Sequence, residues 1–169
     1  MTREAALLVI VGVAVVLLAL LAWAWRRRAR RDAGLRAPVG EMPEDATVHA
    51  VFPVLYVATT QHDQPLERLA ITGLGFRSRA DVTVTDAGVA LDLTGQARIF
   101  LPTDRIQDVG QATVAIDRVV ERDGLVRIAW HLDDATVVDS YLRPQDVSAR
   151  ALADAVTAVL PSNQTGTPS

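Results

Sequence analysis

Twenty-one consecutive residues, Ala5 to Trp25, carry neither a charge nor a strongly polar side chain. As an α-helix the run would be about 31 Å long, close to the hydrocarbon thickness of a bilayer. It has no polar face, so it does not read as the amphipathic helix of a soluble protein. Trp23 and Trp25 stand at its C-terminal end, where indoles favour a membrane–water interface. Arg26, Arg27, Arg28, Arg30 and Arg31 follow at once. A cleaved signal peptide would place its charges before a shorter apolar run and small residues after it. The expectation is a single transmembrane anchor within residues 1–31, with the arginines as its topology determinant. Arg3 and Glu4 cancel on the other flank, so the positive-inside rule puts the N-terminus outside and the rest of the chain in the cytoplasm, at the plasma membrane. One helix without an ionisable group offers no proton relay and no charged substrate path, so by itself it is not a transporter. Gly12-x-x-x-Val16 lacks the second small residue of a helix-packing pair.

Beyond the run the chain is of another kind. Residues 1–36 hold seven arginines against Glu4 and Asp32, whereas residues 37–169 hold ten arginines against 18 acids. An acidic body of this sort argues against broad nucleic-acid binding, which draws on a positive face. There is no Cys, hence no disulfide framework, no thiolate metal site and no cysteine nucleophile. Residues 32–47 (DAGLRAPVGEMPEDAT) read as a linker rich in Pro and Gly, and 161–169 (PSNQTGTPS) as a disordered tail. The domain is expected over 48–160.

Its pattern is mostly of period two. Val54–Thr60 is β-branched and aromatic and reads as a first strand, followed by a mixed stretch over 61–78. Val82 and Val84, then Val89, Leu91 and Leu93, then Ala97, Ile99 and Leu101 alternate with less apolar neighbours. Asp86-Ala87-Gly88 and Thr94-Gly95-Gln96 supply the turns between these runs. A strand is expected over Thr113–Glu121, turned at Asp123-Gly124 into Val126–Leu132, where Trp130 faces inward. Thr136–Leu142 makes the seventh strand. Leu152, Val156, Val159 and Leu160 then fall at helical spacing between about Pro144 and Leu160. Seven short antiparallel strands and one C-terminal amphipathic helix predict an all-β or α+β domain, a partly open barrel with the helix covering an opening. That arrangement is similar to a pleckstrin-homology (PH) fold.

The chain also resembles a family: actinobacterial single-pass membrane proteins that carry one N-terminal helix and a bacterial PH-like domain, often described as export, transport or membrane proteins. The stretches that carry the resemblance are Tyr56–Thr60 (YVATT), Leu74–Arg77 (LGFR), Val82–Leu91, Leu125–Trp130 (LVRIAW) and Val138–Arg143 (VDSYLR). They are structural landmarks without a catalytic signature. The resemblance implies a PH-like fold and a module that binds partners. In eukaryotic PH domains the connection between the first two strands grips phosphoinositide headgroups, which makes Arg68, Arg77 and Arg79 the candidate ligand- or partner-binding residues here. Glu67 and Asp81 interleave with them and the domain is acidic, so anionic lipid headgroups are the less favoured ligand.

Little else suggests chemistry. His131 with Asp133 and Asp134 offers metal-ligand atoms, but Asp at a hairpin end is ordinary turn chemistry. Gly73-x-Gly75 lacks the third glycine and the strand-to-helix setting of a dinucleotide site. No Ser or Thr stands in a nucleophile-elbow context. Thr59 and Thr60 are expected near Asp139, Tyr141 and Arg143, with a buried Asp139–Arg143 pair closing the sheet against the helix. No catalytic residue, metal or cofactor is expected. The reading is a non-enzymatic, membrane-anchored cytoplasmic module that binds a protein partner at the inner membrane face. The alternative is an accessory subunit of a transport or export complex, and a small hydrolase is a distant third.

Overall fold

The computed structural model describes residues 3–32, 34–115, 118–119 and 124–161. The chain divides into two compact units, Met1–Gly34 and Leu35–Ser169. The first is one helix, α1 (Arg3–Asp32). Within it Leu7–Arg27 spans 21 residues at a mean hydropathy of 3.0, a length and composition that a membrane span and a signal sequence share. Trp23 and Trp25 are exposed, and the Arg27 guanidinium lies over the Trp23 ring, 5.6 Å from its centroid. This is a cation–π pair at i,i+4 spacing. Arg26 and Arg30 lie on the same helix, while the side chains of Arg28 and Arg31 fall outside the described residues.

The second unit is built from β1 (Val48–Gln61), β2 (Ser78–Thr85), β3 (Gly88–Leu93), β4 (Ile99–Pro102), β5 (Ile106–Ala112), a small ladder of β6 (Val114–Ala115) with β7 (Arg118–Val119), β8 (Leu125–His131), β9 (Val137–Pro144) and α2 (Ala149–Val159). Seven of these strands form one open sheet in the order β4-β3-β2-β1-β9-β8-β5, every described pairing antiparallel. The helix touches both β2 and β5, four places apart in that order. Four strand spacings across a flat sheet are roughly 19 Å, more than the ~10–12 Å diameter of a helix. The sheet must therefore curl around α2, which is the partly open barrel anticipated from the pattern.

Local chemistry explains most element ends. At the β2–β3 turn Thr85 Oγ1 accepts from the Gly88 amide (3.1 Å) and donates to the Gly88 carbonyl (2.9 Å). Gly88 has φ +152°, and a Cβ there would run into the Leu101 carbonyl of β4, so only glycine fits. Helix α2 starts at Ala149 rather than near Pro144: β9 runs through Pro144, and Ser148 is the N-cap, accepting from the Ala151 amide at 3.2 Å. Leu152 and Val156 turn into the core as the spacing predicts.

One strand lies elsewhere than expected. The partner of β8 is β5, from Ile106↔Trp130 to Ala112↔Leu125, and not a strand over Thr113–Glu121. That interval contains the short β6–β7 ladder, and residues 116, 117 and 120–123, with Asp123 of the expected hairpin, lie outside the described residues. The sequence of β5, IQDVGQA, has apolar groups only at Ile106, Val109 and Ala112 and therefore no two-residue period. An edge strand with little of its surface in the core does not need one.

The core holds a polar chain whose direction chemistry determines. Tyr56 Oη must donate to the Leu74 carbonyl (2.8 Å), because a carbonyl only accepts. Thr59 Oγ1, 2.9 Å from Tyr56 Oη, is then the donor to it. Ser140 Oγ consequently donates to Thr59 (2.7 Å) and accepts from Trp130 Nε1 (2.9 Å). Every hydroxyl and the indole N–H is thereby satisfied among side chains that are fully buried. Burial pushes the Tyr56 phenol up to about 12.

Candidate functional site

An open sheet has two edges, and unpaired backbone at an edge is a template for another strand. The edge at β4 is covered by the chain itself. Gly40 N–H donates to the Arg98 carbonyl at 3.1 Å, and Val39 bridges Ile99 in antiparallel fashion. Arg98 reaches Glu41 (3.0 Å) while clamping Asp92 through Nε (2.6 Å) and Nη2 (3.1 Å). Those two carboxylates hold the guanidinium above its ordinary pKa, Asp92 foremost. Farther back, Ala37 N–H donates to the Thr72 carbonyl and Thr72 N–H to the Leu35 carbonyl, both at 3.2 Å, with Ala37 buried. Of the spacer expected over 32–47, Leu35–Glu41 is thus an arm bound to the domain. Ala37 precedes Pro38 and is biased toward the extended backbone such bridges need. At the other end of the sheet order β5 has β8 as its neighbour, and α2 packs beside it.

A second cluster stands on the face of the sheet that looks away from the core. Thr60, Asp139, Ala129 and Asp108 pair across β1, β9, β8 and β5 in one row. Asp139 is fully buried and satisfied by three donors: His62 Nδ1 (2.8 Å), the Asp63 amide (3.0 Å) and Arg127 Nη1 (3.3 Å). Arg127 also pairs with Asp108 on β5. The partner of the buried carboxylate is therefore Arg127 and not Arg143, which is exposed. Residues four apart on one strand are about 13 Å apart, too far for a pair, whereas Arg127 sits diagonally across the ladder within reach of a long side chain. Nor does the pair close the sheet against α2. Tyr141 shares this face, its phenol pushed up by burial and by the Asp139 charge.

His62, Asp63 and Asp139 present ligand atoms within 4.8 Å of one another, the spacing of a metal site. They do not fit a cation. The Asp139 oxygens already accept three hydrogen bonds, and one donor is a guanidinium whose charge opposes a metal. The grouping was not legible from sequence distance, although alternation along β8 and β9 puts Arg127 and Asp139 on one face. At the β8–β9 turn Asp133 accepts from the Ala135 amide at 2.9 Å, which is the turn chemistry its position suggests, and this bond lowers its pKa.

The three candidate arginines are dispersed in function. Arg68 Nη2 donates to the Gly75 carbonyl at 2.8 Å, bracing the β1–β2 connection. Arg77 is exposed. Arg79 lines a groove of about 450 Å³ together with Asp81 and Asp92, so acids share its surroundings.

The sequence over residues 36–158 matches the family model described as Bacterial PH domain-like. The chain belongs to that family. The matched stretch takes in the bound arm from Arg36 onward as well as β1–β9 and most of α2. No curated protein matches the chain. Solved structures to which it is similar include the C-terminal domain of an unknown protein from Leishmania infantum, at 13% identity and a TM-score of 0.44 over 83% of this chain and 99% of that one. Another is the C-terminal phosphotyrosine interaction domain of APBB2 from mouse, at 15% identity and 0.48 over 73% and 95%. A third is a chain of the 8S snRNP assembly intermediate, at 11% and 0.48 over 78% and 97%.

Among the described residues, the groups nearest to reactive chemistry are engaged within the domain itself. The described polar partners of the His62 ring are Asp139 and Asp63, which gives it no hydroxyl to activate as a nucleophile. The hydroxyls of Thr59 and Ser140 are buried and bonded to each other.

Proposed function

We propose that the chain is a non-catalytic, membrane-anchored interaction module whose PH-like domain takes up an extended segment of a protein partner as an added strand on β5. The observation that carries this reading is the asymmetry of the sheet edges: β4 is covered by Leu35–Glu41, whereas β5 ends the sheet beside α2. Main-chain bonds along such an edge supply affinity, and side chains of alternate residues supply specificity. The apolar helix α1 supports an anchor, and the arginines after it support a cytoplasmic domain under the positive-inside rule. Anionic headgroups are the weaker occupant, because Arg68 is engaged within its own loop and Arg79 shares a groove with acids.

Photo-crosslinking side chains at Gln107 and Gln111 of the full-length protein, in membranes of its host, should yield one discrete protein adduct. The same group at Phe100 on β4 should yield none. Equal adducts at all three positions, or adducts to lipid alone, would sink the reading. A reporter fused after Ser169 should lie in the cytoplasm; an external location would overturn the topology.

A further inference from the structure

We propose that the outer edge of β4 is a second strand-binding site, kept shut by Leu35–Glu41, and that it takes an extended protein segment of the pattern Ala-x-x-x-Glu with no proline inside it. The acceptor is preformed. β4 is paired with β3 from Gly88↔Pro102 to Leu91↔Ile99, and Ile99 and Leu101 are buried, so the strand keeps its place with or without the arm. The arm shows what this edge accepts: a backbone N–H for the Arg98 carbonyl, a small side chain where Ala37 is buried beside Gly73, and a carboxylate for Arg98 Nη1. Asp92 holds Arg98 through its other nitrogens, so Nη1 stays presented when Glu41 leaves.

The arm is itself an incomplete strand, and one residue makes it so. Val39 lies opposite Ile99 in the antiparallel bridge, which sets Gly40 opposite Arg98 and Pro38 opposite Phe100. Carbonyls two residues apart on a strand point to the same side, so the Phe100 carbonyl faces the arm as the Arg98 carbonyl does. Gly40 supplies an N–H to Arg98, but Pro38 has none to give Phe100. The remaining hold is light: Val39 is 69% exposed, the Glu41 side chain 80%, and the two bonds to Thr72 are 3.2 Å long. A segment that repeats the arm's other contacts and offers an N–H in place of Pro38 gains one main-chain bond, about two- to tenfold in the competition. This site is separate from the β5 edge, and the resting protein keeps it closed.

The probe is a fluorescent peptide, LRAAVGE, which is the arm sequence with alanine in place of proline. Its anisotropy is followed with the full-length protein held one copy to a nanodisc. In the protein, Gly40→Pro removes the arm's bond to Arg98 and should tighten peptide binding about two- to tenfold, while Pro38→Ala completes the arm and should weaken it by a similar factor. The peptides LRAPVGE and LRAAVGK should each bind more weakly than the probe. A lock is available as well: a Cβ at Gly40 would stand 3.8 Å from that of Phe100, the separation found in disulfides, and the chain has no Cys of its own. In the variant with Gly40→Cys and Phe100→Cys, oxidation should abolish peptide binding and reduction restore it, a comparison within one folded protein. Equal binding by the oxidised and reduced forms would put the peptide elsewhere and overturn the proposal. So would no saturable binding by the reduced form, or LRAPVGE or LRAAVGK binding as tightly as the probe.

Discussion

Thr59 and Thr60 are adjacent on β1, yet they belong to two polar systems built on opposite principles. Thr59 and Ser140 face the core, where a one-way chain of neutral groups runs from Trp130 to the Leu74 carbonyl. Thr60 and Asp139, one residue along on each strand, face outward, where a buried carboxylate is held by His62, Asp63 and Arg127 and linked to Asp108 at the sheet's edge. The inner system contains no charge and so avoids the desolvation that ionised groups suffer in an apolar interior. The outer one keeps its charges where solvent still reaches Arg127 and Asp108. Deep in a small domain, stability should follow packing and neutral hydrogen bonds; toward the rim it should follow charge pairing and fade with exposure.

That contrast can be broken by measurement. Trp130→Ala removes the largest fully buried side chain and the donor that starts the inner chain. It should cost about 3–5 kcal/mol of unfolding free energy in urea. A loss below about 1 kcal/mol would mean that the inner system is not what holds the sheet together. The next effect is alkaline. The Tyr56 phenol sits at about 12 in the folded protein against 10.0 for the free group, so below pH 10 both states keep the proton and nothing changes. Between pH 10 and 12 the unfolded chain ionises first, and stability should fall by about 1.4 kcal/mol per pH unit, about 2.7 in all. The chain has no Lys to titrate in that window. Tyr56→Phe should flatten the pH slope, and an unchanged slope would assign the effect to Tyr141.

Asp139→Ala strands Arg127 and His62 but leaves the apolar core whole. Because Arg127 is partly exposed, the loss should be about 2 kcal/mol, under the 3–5 of a fully buried pair. Should it exceed the cost of Trp130→Ala, the ranking of the two systems is reversed. The smallest effect belongs to Asp108→Asn, whose side chain is 55% exposed. Thermal unfolding should register no more than about 0.5 kcal/mol, as for surface ion pairs. A larger change would extend the buried network to the β5 edge.

How much of this could be read from the residues depends on how strongly the core marks each element. Leu125–His131 alternates in sequence because β8 is flanked by β9 and β5 with one face in the core, and Trp130 is inward as expected. The β2–β3 and β3–β4 turns were likewise visible, as they depend on local turn chemistry. β5 was displaced by several residues because an edge strand buries little, and Gln107, Asp108, Gly110 and Gln111 hide its period. The start of α2 was set by Ser148 rather than by the first helically spaced apolar residue. Asp139 was correctly singled out, but its partner was sought along its own strand, whereas a carboxylate in a ladder meets residues across it.

The arm along β4 bears on how the molecule can be cut. A fragment beginning at Glu41 keeps every strand of the sheet but loses the bridges at Thr72 and Ile99, baring the backbone of a short apolar edge strand. Naked edges of that kind invite edge-to-edge aggregation. Proteolysis or truncation ahead of Leu35 would spare the domain, while cleavage a few residues later would turn a closed border into a sticky one.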